Sequence, residues 1–303
     1  MDSNTLANTL ATLLNSWKLH MQAERMSPAT IDNYTRGVRY YLAWCGVNKI
    51  YNPLDRHTLQ RWVTHILASG AEAATARTRQ QAVRRFAAWL AQEGEVPADP
   101  FLGMKLPKVD VKVVERLSED ELRLLLKACA GKEMRDRRDE AMLRLMTETG
   151  MRAGELLALN VTDVDLARGL AVVRRGKGGK GRVVPFTPQT GAAIDRYVRV
   201  RRHHRHAHSP ALWLAETCGT DRMSYPGLRK ALLARAIAAG IAGFHIHKLR
   251  HTFASRWLGA GGSEGGLMAV AGWSDRSMLD RYSRATAAER AAVEARGLGL
   301  GDL

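Results

Sequence analysis

The helical periodicity of this sequence is interrupted over one long stretch, and this interruption indicates how the chain divides into domains. Between Glu93 and Leu117 prolines interrupt the apolar pattern, and residues 105–114 have neither a helix cap nor an apolar face. Apolar residues recur at helical spacing on both sides of the stretch. With 303 residues, the chain is long enough for a core on each side. We therefore expect a domain at 1–100, a linker at 101–116 and a second domain at 117–303.

The sequence pattern of the first domain predicts four amphipathic helices. Ser27 followed by Pro28 is typical of a helix start, and apolar residues then recur every three or four positions until Gly46. Similar patterns predict helices at 5–22, 57–67 and 73–90.

The second domain combines helices with one β-hairpin. Ser118 and Glu121 match a capping box at the start of a helix, and another helical pattern runs over 138–149. The β signal is the stretch 169–186, in which two valine-containing strands flank the turn GKGGKG. Further helical patterns follow at 189–205, 226–239, 247–260, 264–271 and 276–283. The predicted fold class is mainly α, with a small antiparallel sheet in the second domain.

The charge balance points to a polyanionic partner. Lys and Arg number 46 against 30 acidic residues, a formal charge of +16, while an apolar content of 46% is typical of a folded chain. Nucleic acid is therefore the first candidate.

Signals for membranes and secretion are missing from the sequence. No apolar run approaches the roughly 18 residues that span a bilayer, and the first residues lack the features of a secretory signal. We expect a cytoplasmic protein without membrane association. Cys45, Cys129 and Cys218 form no CxxC pair, so we expect buried thiols rather than disulfides or a zinc site.

Two basic residues lie at turns from which a side chain can reach a ligand. Arg152 in TGMRAGEL stands between Gly150, which ends one helix, and the next helix, so its guanidinium either points at a ligand or faces water. Lys177 in the turn RRGKGGKGR either enters a cleft or is solvated. The turn is not a Walker A loop, because no Ser or Thr follows a Gly-Lys pair, and ATP hydrolysis has no support.

The helix predicted at 247–260 places a histidine and an arginine on one face. Arg250 follows His247 by three residues, and His251 comes next. The pair suits a phosphate, because arginine supplies a bidentate fork and imidazole exchanges a proton near neutral pH; packing in the core is the alternative. Further along, Trp273 precedes Tyr282, whose charged neighbours in LDRYSR are a poor context for burial.

These motifs occur in the order and approximate spacing of the tyrosine recombinase (phage integrase) family, which the chain resembles along its whole length. They are TGMRAGEL, the G-K-G turn, His247-x-x-Arg250, Gly272-Trp273 and Tyr282. The resemblance implies a helical, SAM-like core-binding domain followed by an α+β catalytic domain of the DNA breaking-rejoining enzyme fold. Trp273 stands where Xer-type members have a second histidine, as in Cre and Flp-like members.

The resemblance also implies how a DNA strand would be cut. Tyr282 is the expected nucleophile, which forms a 3′-phosphotyrosyl link and releases a 5′-hydroxyl. Arg152 and Arg250 are expected to clamp the charged phosphate oxygens, assisted by the indole N–H of Trp273.

The expected proton transfers belong to two other residues. His247 is the expected general base and Lys177 the expected acid for the departing 5′-oxygen. Glu155 is expected to orient the guanidinium of Arg152.

Basic side chains outside this set are expected to contact DNA. They are Arg77, Arg84 and Arg85 in the first domain and Arg174, Arg175, Lys180, Arg182 and His251 in the second. Neither a metal nor a cofactor is expected. We interpret the cluster His203, His204, His206 and His208 as an exposed basic helix end, because the neighbouring arginines oppose a dication.

The expected function is site-specific recombination for integration or excision of a mobile element or prophage. It would proceed through a Holliday junction in a homotetramer on two double-stranded DNA sites, with residues 287–300 as a segment donated to a neighbour and with a possible accessory directionality factor. Three alternatives remain open: Xer-type resolution of replicon dimers, a type IB topoisomerase, and a non-catalytic DNA-binding regulator that uses helix 247–258 for recognition.

Overall fold

The computed structural model describes residues 3–109, 115–174, 181–216, 220–280 and 282. The chain divides into two compact units, residues 1–112 and 113–303. The point of division falls inside the stretch where the helical periodicity stops.

The first unit consists of four helices. They are α1 (Ser3–Ala23), α2 (Pro28–Val47), α3 (Arg56–Ala68) and α4 (Ala73–Gln92). Ser27 begins α2 as predicted, because its hydroxyl accepts the backbone N–H of Thr30 at 3.2 Å. Asp55 caps α3 in the same way, through the N–H of Thr58 at 2.8 Å.

Aromatic residues fill the core of the first unit, and the segment after α4 closes it. The ring centroids of Trp17 and Phe86 lie 5.1 Å apart, and those of Tyr41 and Trp62 lie 4.9 Å apart. Phe101 is also fully buried in this core. Three side chains then bind backbone carbonyls of the same segment: Arg56 to Leu102, Gln80 to Lys105 and Arg77 to Pro107. Residues 101–107, which the sequence pattern assigns to the linker, therefore pack as part of the first unit.

The described residues of the second unit form seven complete helices, a 3-10 turn at Val161–Asp163 and three strands. The helices are α5 (Glu119–Lys127), α6 (Met134–Thr149), α7 (Ala153–Ala158), α8 (Pro188–Arg201), α9 (Tyr225–Ala238), α10 (Ile246–Gly259) and α11 (Glu264–Ala271). Residues 276–280 and 282 are also helical. The strands β1 (Val164–Asp165), β2 (Leu170–Val173) and β3 (Arg182–Pro185) form an antiparallel sheet in that order. The mainly α class with a small antiparallel sheet is confirmed.

Helix α6 forms the centre of the second unit. Successive residues along it are buried, including Met142, Leu143 and Leu145, so the helix is covered by neighbours on several sides. It packs against both α8 and α10. Nearby, the indole of Trp213 donates to the carbonyl of Leu156 at 2.9 Å and so fastens the end of α7 to this core.

Helix α8 ends earlier than its sequence predicts. The pattern suggests helix to residue 205, but α8 ends at Arg201. The guanidinium of Arg201 is buried and donates to four backbone carbonyls beyond the helix, those of Ala207, Ser209, Ala211 and Leu212. The chain folds back over this cation, so the histidines at 203–208 lie in a loop rather than at a helix end.

The segment that leads into the second unit is attached along one stripe of α10. Lys248 pairs with Glu115 at 2.7 Å, the hydroxyl of Thr252 accepts the N–H of Leu117 at 2.9 Å, and Arg256 pairs with Glu119 at 2.8 Å. The three α10 residues are spaced by four and therefore share one face of the helix.

None of the helices in the described part of the chain is long and apolar enough to cross a bilayer. Cys45 and Cys129 are buried thiols, as predicted. Burial raises the pKa of Cys45 to about 11 and that of Cys129 to about 12. Cys218 lies outside the described residues.

Gly150, at the end of α6, lies directly against the ring of Phe253 on α10. It ends α6 with a φ of 60°, and a Cβ placed on it would lie 2.1 Å from the ring of Phe253. Replacing Gly150 with alanine combines left-handed strain with overpacking, so we expect Gly150→Ala to lower the free energy of unfolding by about 2–4 kcal/mol. Denaturant unfolding measures the change.

Gly259 provides the matched control for that substitution. It closes α10 without positive φ, and a Cβ there meets nothing within 4 Å. Gly259→Ala should leave stability unchanged or raise it by up to about 1 kcal/mol. Equal effects of the two substitutions would contradict the steric account.

Candidate active site

Helix α10 brings a buried arginine to the ends of two other helices. Arg250 is only 2% exposed, and its guanidinium donates to the carbonyl of Gly150 at 2.5 Å and to that of Ala271 at 2.8 Å. These carbonyls close α6 and α11, where the helix dipole is negative. Burial, and after it the neighbouring Arg152, lowers the pKa of Arg250 to about 10, which leaves the group charged at neutral pH.

Arg152 precedes α7 and reaches the same place from another side. Its Nη1 donates to Glu155 Oε1 at 2.9 Å, and its backbone N–H donates to Glu155 Oε2 at 2.8 Å. Its Nη2 makes a long contact of 3.5 Å with the carbonyl of Gly272. The side chain of Arg152 is 29% exposed, so this guanidinium faces both the cluster and the solvent.

Arg182, at the start of β3, is a third arginine in the cluster. Its Nη1 and Nη2 donate to the two oxygens of Glu155 at 3.0 and 2.7 Å, and its Nε donates to the carbonyl of Val270 at 2.8 Å. The sequence pattern predicts Arg182 as a DNA contact. In the structure its donors are instead committed to a carboxylate and a backbone carbonyl, and its side chain is 11% exposed.

Glu155 is the carboxylate that holds two of these arginines together. Burial by itself would raise its pKa, but the hydrogen bonds from Arg182 and Arg152 outweigh burial and lower it. The carboxylate is therefore ionised at neutral pH. One negative charge among three guanidinium groups leaves a local excess of positive charge that suits an anionic ligand such as a phosphate diester.

The indole ring of Trp273 meets both Arg250 and Tyr282. Its ring lies 5.3 Å from the guanidinium carbon of Arg250, and its centroid is 5.2 Å from that of Tyr282, with the two planes inclined by 16°. The indole Nε1 is buried and has no hydrogen-bond acceptor among the residues that the structure describes. Such a donor gains an acceptor when an oxygen enters the site.

The phenol of Tyr282 is packed inside this cluster. Its side chain is 1% exposed, and its hydroxyl is hydrogen-bonded to Nδ1 of His251. The charged neighbours of Tyr282 in the sequence predict an exposed ring, but stacking on Trp273 and contact with His251 bury it instead. The hydroxyl is therefore close to the arginine cluster but enclosed in this state.

The histidine in contact with the phenol differs from the one that the sequence pattern favours as a base. His247 is exposed, and its ring meets that of His251 edge-on at 4.4 Å between centroids. His251, half-buried, bonds the Tyr282 hydroxyl instead of standing free to contact DNA. The one sequence signal for its position is the spacing of four from His247, which puts both rings on one helix face.

The other predicted residues are placed as follows. Arg175, Lys177 and Lys180 lie outside the described residues. Arg174 is exposed and pairs with the buried Asp163 at 2.5 Å. In the first unit, Arg77 and Arg85 are exposed and Arg84 is half-buried, and the guanidinium of Arg85 stacks over Tyr34 at 5.4 Å.

The histidine loop offers no metal site in the described part of the chain. The centroids of His204 and His206 lie 5.5 Å apart and those of His206 and His208 lie 6.2 Å apart. No group of three or more His, Cys, Asp or Glu side chains among the described residues is arranged to hold a metal ion.

Comparison with known protein families identifies both units. Residues 115–289 match the model of the phage integrase family, and residues 14–94 match the model of the phage integrase N-terminal SAM-like domain. The chain belongs to the phage integrase family. The predicted resemblance to tyrosine recombinases is thereby confirmed, as is the SAM-like character of the N-terminal helices.

Full-length relatives support the same assignment to the tyrosine recombinases. A tyrosine recombinase XerC from Haemophilus influenzae (strain 86-028NP) is 30% identical over 285 residues, which cover 90% of this chain and 92% of the relative. A tyrosine recombinase XerC from Psychromonas ingrahamii is 27% identical over 281 residues, which cover 91% of this chain and 92% of the relative.

Solved structures show the same fold. The XerH site-specific recombinase bound to a palindromic difH substrate, in a post-cleavage complex, aligns with a TM-score of 0.73 at 18% identity over 93% of this chain and 84% of that one. A lambda integrase dimer bound to a COC′ core site aligns with a TM-score of 0.69 at 15% identity over 88% of this chain and 96% of that one.

The depressed pKa of Glu155 makes a testable contribution to the stability of this recombinase. Because the folded pKa is below the unfolded value of about 4.3, the stabilisation is complete above that pH and is lost as the pH falls through the folded pKa. Glu155→Gln leaves buried cations unpaired and should cost about 3 kcal/mol at pH 7. Measured by denaturant unfolding, the difference from wild type should shrink below about pH 4.

Glu119 is the matched control, since it pairs with Arg256 on the surface. Glu119→Gln should change stability by less than about 1 kcal/mol. A pH-independent difference between wild type and Glu155→Gln would contradict the ionised bridge.

Proposed function

We propose that this tyrosine recombinase cuts and rejoins DNA at specific sites through a covalent link to Tyr282. The observation that carries the proposal is the arrangement around Arg250: two further guanidinium groups, an indole N–H without an acceptor in the described chain, and the phenol stacked on that indole. Together they offer a phosphate-binding pocket beside a nucleophile.

The proposed cleavage is a phosphoryl transfer that conserves the bond energy. The phenolic oxygen of Tyr282 forms a bond to the scissile phosphorus, and the bond from phosphorus to the 5′-oxygen breaks. The products are a 3′-phosphotyrosyl link and a 5′-hydroxyl, and rejoining reverses the same step. No nucleoside triphosphate such as ATP is consumed.

Arg152 and Arg250 are the proposed clamp on the non-bridging oxygens. Arg250 uses two of its five N–H donors on carbonyls, which leaves three for an anion that reaches the buried side chain. Arg152 is the more exposed of the two and is positioned by Glu155. The indole N–H of Trp273 would add a neutral donor, which does not titrate.

Proton transfer requires the phenol to leave its enclosed position. We propose that His251 holds the hydroxyl until DNA binds and that exposed His247 then acts as the general base toward a phenol whose ordinary pKa is about 10. Lys177 remains the proposed acid for the 5′-oxygen, on the resemblance to the family.

Double-stranded DNA is the proposed partner. The formal charge of +16 supports strong, salt-dependent binding to the phosphate backbone, and XerH and lambda integrase were each solved on a DNA site. The predicted DNA contacts other than Arg182 and His251, assembly as a homotetramer on two sites, a Holliday junction and an accessory directionality factor are carried forward as parts of the same proposal.

Two biological roles fit this activity. Similarity to XerC over nine-tenths of the chain favours Xer-type resolution of replicon dimers. Trp273, at the position where Xer-type members have a histidine, favours the second candidate, integration or excision of a mobile element. Products that join two equal sites support the first role, and products that join unequal sites support the second; relaxed circles alone would indicate a topoisomerase.

The decisive variant for the proposed chemistry is Tyr282→Phe. Removing one oxygen eliminates the nucleophile, so the covalent adduct should fall by at least about 1,000-fold while DNA affinity is retained. The measurement uses a pool of nicked duplexes prepared from candidate genomic junctions, with the protein–DNA adduct resolved on a denaturing gel.

Tyr225→Phe is the control, because Tyr225 is half exposed on α9. Wild type and this control should form adduct equally. Adduct formation by Tyr282→Phe, or unchanged biological activity of that variant, would overturn the proposal in favour of another nucleophile or of a non-catalytic regulator.

A further inference from the structure

Three arginines bind three successive carbonyls at the end of α11. Arg182 binds that of Val270, Arg250 that of Ala271, and Arg152 that of Gly272. Arg152 and Arg250 have proposed roles at the phosphate. Arg182 has none beyond the general expectation that it contacts DNA, and its geometry points elsewhere.

Every polar nitrogen of Arg182 already has a partner. Nη1 and Nη2 form a fork on the two Glu155 oxygens at 3.0 and 2.7 Å, and Nε donates to the Val270 carbonyl at 2.8 Å. The side chain is 11% exposed. A DNA phosphate would have to displace a buried carboxylate from this fork. The free energy lost by leaving that carboxylate unpaired exceeds the free energy gained from a surface contact.

Glu155 passes this restraint on to Arg152. Its Oε1 accepts from Arg182 and from Arg152, at 3.0 and 2.9 Å. Its Oε2 accepts from Arg182 and from the backbone N–H of Arg152, at 2.7 and 2.8 Å. Arg152 is thus held at both its backbone and its side chain by a carboxylate that Arg182 fixes in place.

The turn before Trp273 is shaped around the same guanidinium. Gly272 has a φ of 65°, and a Cβ on it would lie 2.9 Å from Nη1 of Arg182. The absence of a side chain at Gly272 lets the arginine lie directly against the turn that leads to Trp273. Arg182 therefore contacts both Glu155, which holds Arg152, and the turn that leads to Trp273.

We propose that Arg182 is a positioning residue for DNA cleavage, which holds Glu155 so that Arg152 presents its guanidinium to the scissile phosphate. The inference rests on the proposed function. The positioning role and a DNA-contact role require different properties of residue 182. Positioning requires a planar fork that binds both oxygens of one carboxylate, whereas a DNA contact requires only a positive charge.

The Arg182→Lys variant separates the two roles, because lysine keeps the charge but binds as a single point. We expect the single-turnover rate of adduct formation on nicked duplex to fall by about 10–100-fold, as for other residues that orient a functional side chain. The dissociation constant for the same duplex, and its dependence on salt, should stay as in wild type. Arg168→Lys, an exposed arginine that pairs with Asp165, is the control and should cleave at the wild-type rate.

Two further measurements connect the defect to Arg152. Glu155→Gln should show a similar loss in rate, and the double variant Arg182→Lys/Glu155→Gln should be no slower than the slower single variant, because both act through one bridge. A methylphosphonate at the scissile position removes the charge that Arg152 neutralises, so the deficit of Arg182→Lys should shrink on that substrate. Thermal unfolding confirms that each variant is folded under the assay conditions.

Several results would overturn the inference. A wild-type rate for Arg182→Lys, additive losses in the double variant, or an undiminished deficit on the methylphosphonate would each show that Arg182 does not act through Glu155 and Arg152. Weaker binding by Arg182→Gln, with a salt slope reduced by about one, would identify a phosphate contact. Failure of wild type and of Arg168→Lys to form any adduct would instead reject the proposed function, and the inference with it.

Discussion

Three guanidinium groups gather at the carboxyl end of one short helix, and the rest of the second unit is arranged to hold them there. The three positive charges repel one another, and burial of Arg250 further disfavours its charged form. The compensation comes from three successive carbonyls at the negative end of the α11 dipole, a further carbonyl at the end of α6, and the carboxylate of Glu155. Because one carboxylate does not neutralise three cations, the cluster retains affinity for an anion.

The same arrangement explains why Tyr282, the proposed nucleophile, is enclosed. The ring of Tyr282 stacks on Trp273, whose own ring lies against Arg250, and the Tyr282 hydroxyl is hydrogen-bonded to His251. In this position the polar atom of the phenol is satisfied, while the indole N–H is left without an acceptor in the described chain. A phosphate that enters would supply that acceptor and displace the ring. Under the proposed function, phosphate binding and release of the Tyr282 ring would then be one event.

Local sequence was sufficient for the fold class and for most of the candidate site. Helix caps such as Ser27 and the capping box at Ser118 depend on residues a few positions apart, and the motifs around Arg152, Arg250 and Trp273 are equally local. What could not be predicted depends on partners far along the chain. The partner of Arg182 is Glu155, 27 positions away, and burial of Tyr282 depends on His251, 31 positions away. The early end of α8 likewise follows from carbonyls that Arg201 meets only after the chain has turned back.

The account depends on Tyr282 exchanging its place in the protein for a place beside a phosphate, and the most direct measurement is a crystal structure of the Tyr282→Phe variant on an intact duplex that contains its cleavage site. We expect a backbone phosphate bound by the guanidinium groups of Arg152 and Arg250 and by Nε1 of Trp273, with the ring at position 282 out of its stack and pointing toward the phosphorus. A phosphate bound elsewhere, with that ring still stacked on Trp273 and with Arg152 and Arg250 facing no DNA, would contradict the account.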